Sequence, residues 1–142
     1  CRVLNDRLLI ASPRHMPGNI PTVSFTGLAP AETVPLMRWR ARYSEMSFEP
    51  YGIGIKKTAA VRVGIRPVQY LQGSVAERDD MYWLTQSVGT KTDWRQEKEY
   101  RHRGDLTLAG FSSDELIVVC RTPDEARQIE ERFRLTALAF CR

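Results

Sequence analysis

The chain has 142 residues, of which 42% are apolar, and this suits one compact domain that buries roughly two-thirds of its unfolded surface. Charged residues make up 27%, and no apolar stretch approaches the ~20 residues of a membrane-spanning helix. A membrane protein and a disordered chain are both disfavoured. We expect one globular domain over residues 1–142, and because the chain opens without Met or a signal-like segment, we expect an N-terminal segment upstream of it.

The charge balance is mildly basic. Twenty-one Lys and Arg against 17 Asp and Glu give a net charge of +4, which favours anionic partners only weakly. Seventeen of the basic residues are Arg, whose planar fork grips carboxylates and phosphates at two points. Genome composition is the simpler explanation of the same bias.

The cysteines and histidines are few and scattered. Cys1, Cys120 and Cys141 fit neither a disulfide framework nor a zinc spacing, and His15 and His102 have no ligand partner at helical spacing. We expect a protein of the reducing cytoplasm, with no metal and no contact with a membrane.

The first half of the chain mixes strand and helix patterns. Residues 8–11 and 22–26 are predicted as strands, separated by a loop rich in Pro. From Thr33 the apolar spacing changes to three and four residues, which predicts a helix whose buried face holds Leu36, Trp39, Tyr43 and Met46.

Residues 51–57 alternate bulky side chains with Gly52 and Gly54, so one face of this predicted strand carries no side chain. Either a ligand or a closely packed neighbour could occupy that bare face. Further along, the pattern predicts a helix at 58–63 ended by Gly64, a strand at 67–71 and a helix at 76–88 with Met81, Leu84 and Val88 on one face.

The last third contains the strongest local signals. Leu116 to Val119 are consecutive apolar residues, as in a central strand covered on both sides. Thr122 and Pro123 then begin a helix with an N-cap and a capping box, with Ala126, Ile129 and Phe133 on its buried face. The mixture of periodicities predicts an α+β fold with a mixed or mainly antiparallel sheet.

Residues 94–103 are ambiguous between helix and strand. Read as a strand, the segment places Arg95, Glu97, Glu99, Arg101 and Arg103 on one face. Two carboxylates about 7 Å apart, kept ionised by neighbouring arginines, could orient a ribose hydroxyl and stabilise the cation formed when a glycosidic bond breaks. A solvated salt-bridge ladder is the alternative.

Two further segments carry candidate binding residues. Thr22, Ser24 and Thr26 share one strand face, where their hydroxyls could hold a ligand's polar edge or satisfy one another. In residues 38–43, basic and aromatic side chains interleave as in binders of single-stranded nucleic acid. The predicted helix places Trp39 and Tyr43 in the core, which leaves phosphate contact to the arginines of this segment: Arg38, Arg40 and Arg42.

Taken in order, four short motifs resemble the AbiGi-type abortive-infection proteins, over about half to two-thirds of the chain. They are residues 20–26 (IPTVSFT), 51–57 (YGIGIKK), 64–70 (GIRPVQY) and 94–101 (WRQEKEYR). The resemblance implies a bacterial phage-defence setting, an antitoxin role and a cognate toxin as partner.

A looser likeness concerns Ser24-Phe25-Thr26 followed by Glu97-Lys98-Glu99. These segments look like the Ser-Thr-Ser and Glu-x-Glu motifs of ADP-ribosyltransferases, although Phe25 stands where that family has a small residue. The likeness implies a fold of that type and NAD as cofactor. It places Glu99 in the catalytic role, Glu97 as the residue that orients the acceptor, and Ser24 beneath the nicotinamide. We add Thr26, Tyr51 and Arg101 as candidate NAD contacts.

Two hypotheses follow for a phage-defence protein. In the first, an ADP-ribosyltransferase-like enzyme uses NAD to modify a nucleic-acid or protein acceptor. In the second, a non-enzymatic antitoxin or binding module holds a nucleic acid or a protein through Arg38, Arg40 and Arg42.

Overall fold

The computed structural model describes residues 2–40, 45–72, 80–88 and 94–140. It contains short strands, most of them paired antiparallel, and few helices, so the α+β class is confirmed. The chain divides into two compact units, one formed by Cys1–Gly27 with Ala60–Gly110 and the other by Leu28–Ala59 with Phe111–Arg142. Each unit is described by itself, and the single domain over 1–142 stays a prediction.

The elements are numbered in chain order. The helices are α1 (Arg2–Asp6), α2 (Pro30–Thr33), α3 (Lys57–Arg62) and α4 (Pro123–Phe133). The strands are β1 (Leu8–Leu9), β2 (Thr22–Thr26), β3 (Trp39–Arg40), β4 (Glu45–Met46), β5 (Gly52–Ile55), β6 (Arg66–Pro67), β7 (Gln69–Leu71), β8 (Thr85–Ser87), β9 (Glu99–Arg103), β10 (Leu106–Thr107), β11 (Leu116–Cys120) and β12 (Thr136–Ala139). Short 3-10 turns lie at Pro17–Asn19, Val34–Leu36, Tyr82–Leu84, Trp94–Glu97 and Ser113–Glu115.

The first unit is built around an antiparallel sheet in the order β2, β9, β6. Two smaller pairings accompany it, β1 with β10 antiparallel and β7 with β8 parallel. Its buried apolar residues include Leu4, Ile65, Trp83, Leu84 and Leu108. Each such side chain contributes about 1.5–3 kcal/mol when it leaves water, so these residues stabilise the first unit.

The second unit has β11 at its centre, with β5 antiparallel on one side and β12 parallel on the other. Leu116, Val118, Val119 and Cys120 are buried, as the apolar run predicts. The helix α4 begins where expected, because the Thr122 hydroxyl accepts a hydrogen bond from the backbone N–H of the residue three positions on. Its predicted buried face is only half-buried.

The helix predicted from Thr33 is wrong. The chain forms only α2 and one 3-10 turn before Met37 leaves the helical region at ψ 85°. β3 and β4 then form a hairpin in which Trp39 lies opposite Met46. Ser47 completes this ribbon by donating its backbone N–H to the Arg38 carbonyl at 2.9 Å. The three- and four-residue spacing was a coincidence, since Trp39 and Met46 are partners across a hairpin.

Three other boundaries differ from the prediction. The segment 67–71 divides into β6 and β7, which pair with different strands. Of the helix predicted over 76–88, residues 76–79 lie outside the described part, and residues 82–87 form a 3-10 turn followed by β8. Trp83, Leu84 and Thr85 are all buried, a consecutive pattern that one helix face cannot produce. The first strand covers only Leu8–Leu9.

The bare face of β5 has a close neighbour at one glycine. A Cβ built on Gly54 would lie 2.5 Å from the Cγ2 atom of Ile117 on β11, whereas one built on Gly52 meets nothing within 4 Å. At Gly54 the packed-neighbour interpretation is therefore confirmed. A shallow cleft of about 300 Å³ lies beside this position, and the Lys56–Asp114 ion pair at its edge is 3.8 Å long.

Candidate functional site

The pairing of β2 with β9 brings the hydroxyl-bearing strand and one of the predicted acids together. Ser24 lies opposite Arg101 and Thr26 lies opposite Glu99, and residues directly opposite in an antiparallel pair share a face. The Ser24 hydroxyl donates to Glu99 Oε1 at 3.0 Å. Ser24 and Glu99, which are 75 residues apart in sequence, therefore meet in the first unit.

Arg101 is the centre of this cluster, and its side chain is only 1% exposed. Its guanidinium forms a bidentate ion pair with the carboxylate of Glu99, in which Nε donates to Oε1 and Nη2 donates to Oε2, both at 2.8 Å. Nη1 donates to the carbonyls of Trp83 and Thr85, at 2.8 and 3.1 Å, and Nη2 also donates to the side chain of Gln86 at 3.0 Å. We call Ser24, Glu99 and Arg101 the clamp cluster.

A guanidinium has five N–H donors, and in Arg101 all five have acceptors within the protein. Such a residue holds Glu99 and the 83–86 segment in place. The contacts therefore give no support to the predicted role of Arg101 as an NAD contact, and no local sequence pattern indicates its burial.

Glu99 is also held through its backbone. Its N–H donates to the phenol oxygen of Tyr70 at 3.1 Å, and its side chain is 17% exposed. Burial raises the pKa of Tyr70, so this phenol stays protonated at neutral pH. Because Arg101 spans both oxygens of Glu99, the carboxylate charge is balanced inside the protein by a charge-assisted pair.

The predicted alternation of Glu97 with Glu99 along one strand is wrong. Glu97 ends the 3-10 turn Trp94–Glu97, and β9 begins only at Glu99. Lys98 between them has a left-handed φ of 45°, which breaks the extended path. The Glu97 carbonyl accepts the hydroxyl of Thr26 at 2.6 Å, so this hydroxyl fixes the turn.

Tyr51, another predicted NAD contact, belongs to the second unit and is 53% exposed. Its hydroxyl donates to Glu125 Oε1 at 3.1 Å, and this hydrogen bond is the main reason that the pKa of Tyr51 is raised. The pKa of Glu125 is lowered, chiefly because its carboxylate accepts the backbone N–H of Thr122. Tyr51 therefore supports the cap of α4.

The basic and aromatic segment lies on the β3–β4 hairpin. Trp39 is 62% exposed, so its predicted place in the core is wrong, because a thin two-stranded ribbon has no interior to bury it. Arg38 is exposed beside it. The side chain of Arg40 and the whole of Arg42 lie outside the described residues. A period-two interpretation of Arg38-Trp39-Arg40 would have indicated a strand here.

Within residues 2–40, 45–72, 80–88 and 94–140, no three His, Cys, Asp or Glu side chains form a group that could hold a metal ion. Cys120 is a buried free thiol, whereas Cys1 and Cys141 lie outside that part. No helix in those ranges has the length and apolar character to cross a membrane.

Compared with protein-family models, with curated proteins and with solved structures, the chain matches none. The likenesses to AbiGi-type proteins and to ADP-ribosyltransferases therefore stay predictions that depend on the motifs described above.

Proposed function

We propose that this chain is a non-enzymatic binding module of a prokaryotic phage-defence system, and that its β3–β4 hairpin holds single-stranded nucleic acid. The observation that carries the proposal is the 62% exposure of Trp39 within the sequence Arg38-Trp39-Arg40. The defence setting depends on the resemblance of four motifs to AbiGi-type proteins, which also makes a cognate toxin a candidate partner.

The hairpin offers the two interactions that single strands need. A base that stacks on an exposed aromatic ring contributes about 1–3 kcal/mol, whatever its identity. The exposed Arg38, the residue before Trp39, can attract the phosphate backbone and pair with it in two-point geometry. The net charge of +4 favours the approach of a polyanion.

The contacts of Glu99 favour a non-enzymatic role. A carboxylate that stabilises a developing cation has to direct its charge at the ligand. Both oxygens of Glu99 instead receive hydrogen bonds from Arg101. This supports a structural role for the clamp cluster in the first unit.

The test is fluorescence anisotropy with labelled single-stranded oligonucleotides over a range of salt concentrations. Trp39→Ala should weaken binding about 5- to 150-fold, the equivalent of one lost stack. Arg38→Ala should reduce the slope of log K against log salt by about 0.7, the value for one phosphate contact. Val61→Ala, which truncates an exposed apolar side chain in the first unit, is the control. Wild-type affinity in the Trp39 variant would remove the hairpin from consideration.

One specific observation favours the ADP-ribosyltransferase-like enzyme as a second candidate function, with NAD as cofactor. It is the 3.0 Å hydrogen bond from Ser24 to Glu99, which joins the two motifs that carry that likeness. In this candidate, Glu99 orients a ribose hydroxyl and Ser24 holds the carboxylate. Incubation with labelled NAD and nucleic-acid or protein acceptors should then give turnover that Ser24→Ala lowers without unfolding the protein. Absence of any NAD turnover would exclude this candidate.

A further inference from the structure

A second basic surface lies in the first unit, on the sheet formed by β2, β9 and β6. Arg66 on β6 is directly opposite Arg101, and Arg103 at the end of β9 is opposite Thr22. By this register, Arg66 and Arg103 share the sheet face that carries Ser24 and Glu99. We call Arg66, Ser24 and Arg103 the arginine face.

The charge on this face is unbalanced. Its charged residues are Arg66, Arg101 and Arg103 against the single carboxylate of Glu99, three positive charges minus one negative charge, or +2. Arg101 already forms an ion pair with that carboxylate. Arg66 and Arg103 are exposed, and neither side chain has a hydrogen bond or ion pair with any residue in the described part of the chain.

The pairing of Arg66 with Arg101 has an energetic consequence. Like charges directly opposite on neighbouring strands destabilise a sheet by a few tenths of a kcal/mol or more. Arg101 is fixed by its five hydrogen bonds and cannot turn away. Because the Glu99 carboxylate lies against Arg101, it offsets most of this repulsion, and the unbalanced charge on the face is that of Arg66 and Arg103.

We infer that the arginine face binds phosphate groups. Arg66 and Arg103 are diagonal neighbours on the sheet, about 7–8 Å apart at their Cα atoms, and their long side chains can converge on one phosphate or span two successive ones. Ser24 is exposed on the same face, on the strand at the other side of β9 from Arg66, and its hydroxyl proton is directed at Glu99. The phosphate can belong to a single-stranded nucleic acid, in which case this inference extends the proposed function, or to the pyrophosphate of a dinucleotide such as NAD.

The experiment compares Arg66→Gln, Arg103→Gln and the double variant with Arg127→Gln. Arg127 is an exposed arginine on α4, so the control removes the same charge from the second unit. One arm measures anisotropy with a labelled single-stranded oligonucleotide over a range of salt, and the other measures calorimetric binding of NAD. The double variant should weaken binding of one probe at least tenfold, and in the oligonucleotide arm it should lower the salt slope by about 1.4, for two phosphate contacts.

A second readout needs no ligand. Because Arg66→Gln leaves one unbalanced positive charge on this face in place of two, it should raise the melting temperature at low salt, and added salt should shrink that difference. The inference is overturned if the double variant binds both probes as tightly as Arg127→Gln does. Trp39→Ala, measured beside them, separates the proposals: an effect there with none from the double variant rejects only the arginine face, and the opposite result rejects only the hairpin.

Discussion

The buried charge of Arg101 would be costly without partners, and hydrogen bonds from all of its N–H groups compensate for that cost. Each of its five N–H groups has an acceptor, and one partner, Glu99, brings the opposite charge. Removing one member of a buried ion pair leaves the other charge uncompensated, which costs about 3–5 kcal/mol. The stability of the first unit therefore depends on the charge of Glu99.

We expect Glu99→Gln to lower the free energy of unfolding by about 3–5 kcal/mol, because Arg101 stays buried without its counter-charge. Urea denaturation followed by circular dichroism measures this loss. Glu131→Gln changes an exposed carboxylate on α4 and should have almost no effect. Equal stability of the two variants would contradict a structural role for the clamp cluster.

The sequence predicted this region in part. The association of Ser24 with Glu99, which are 75 residues apart, followed only from the likeness to the ADP-ribosyltransferase motifs, because no local pattern pairs the two strands. The burial of Arg101 could not be predicted, since it depends on carbonyls at Trp83 and Thr85 that are 18 and 16 residues away. No local pattern indicates that an arginine will find such acceptors.

Two elements that are marked by a short sequence pattern, the helix α4 and the strand β11, were predicted well. The helix α4 begins at its Thr122 cap and β11 follows its apolar run, because capping and hydrophobic runs act over a few residues. The pairing of β3 with β4 was missed because the apolar spacing agreed with a helix by chance, although Trp39 and Met46 lie opposite each other on two strands. The 3-10 turn that ends at Glu97 was also missed, because the alternation of residues 94–103 agreed with one continuous strand.

The strand β5 offers a matched pair of glycines. Gly54→Ala would place a methyl group 2.5 Å from Ile117 Cγ2, while Gly52→Ala meets open space. Ile117 is β-branched and stiff at χ1, so overpacking should cost about 1–3 kcal/mol at Gly54 and far less at Gly52. Chemical denaturation of both variants decides this, and similar stabilities would mean that β5 and β11 pack less closely than described.

The cap of α4 makes an acid-dependent contribution. The folded protein lowers the pKa of Glu125 below its ordinary value of 4.5, mainly through the Thr122 backbone N–H. A carboxylate whose pKa is lowered by folding stabilises the folded state at pH values above its unfolded pKa. This stabilisation is lost as the pH falls from about 4.5 through the folded pKa.

Glu125→Gln should therefore lose the part of the acid dependence that this carboxylate supplies. Unfolding free energies measured at neutral pH and at several values below the unfolded pKa should differ less between those conditions for this variant than for the wild type. Glu131→Gln, whose exposed side chain takes no part in the cap, should keep the wild-type profile. An unchanged profile in the Glu125 variant would show that the cap does not titrate with folding.

At the scale of the whole molecule, the binding proposal has a consequence in cells. If nucleic-acid binding through the hairpin underlies phage defence, a variant that binds 5- to 150-fold more weakly should protect in proportion to its remaining occupancy. Bacteria that express the complete defence system with Trp39→Ala should then show a higher plating efficiency of phage than those with the wild-type chain.

The matched control is Val61→Ala, because Val61 is 67% exposed and also apolar. Protein levels should be compared by immunoblot, since a destabilised variant would lose protection by degradation. A Trp39 variant with normal abundance and full protection would separate hairpin binding from defence. Loss of protection by Glu99→Gln at normal abundance and normal oligonucleotide affinity would instead favour the NAD-dependent candidate, because a purely structural role of the carboxylate would lower the abundance of the protein.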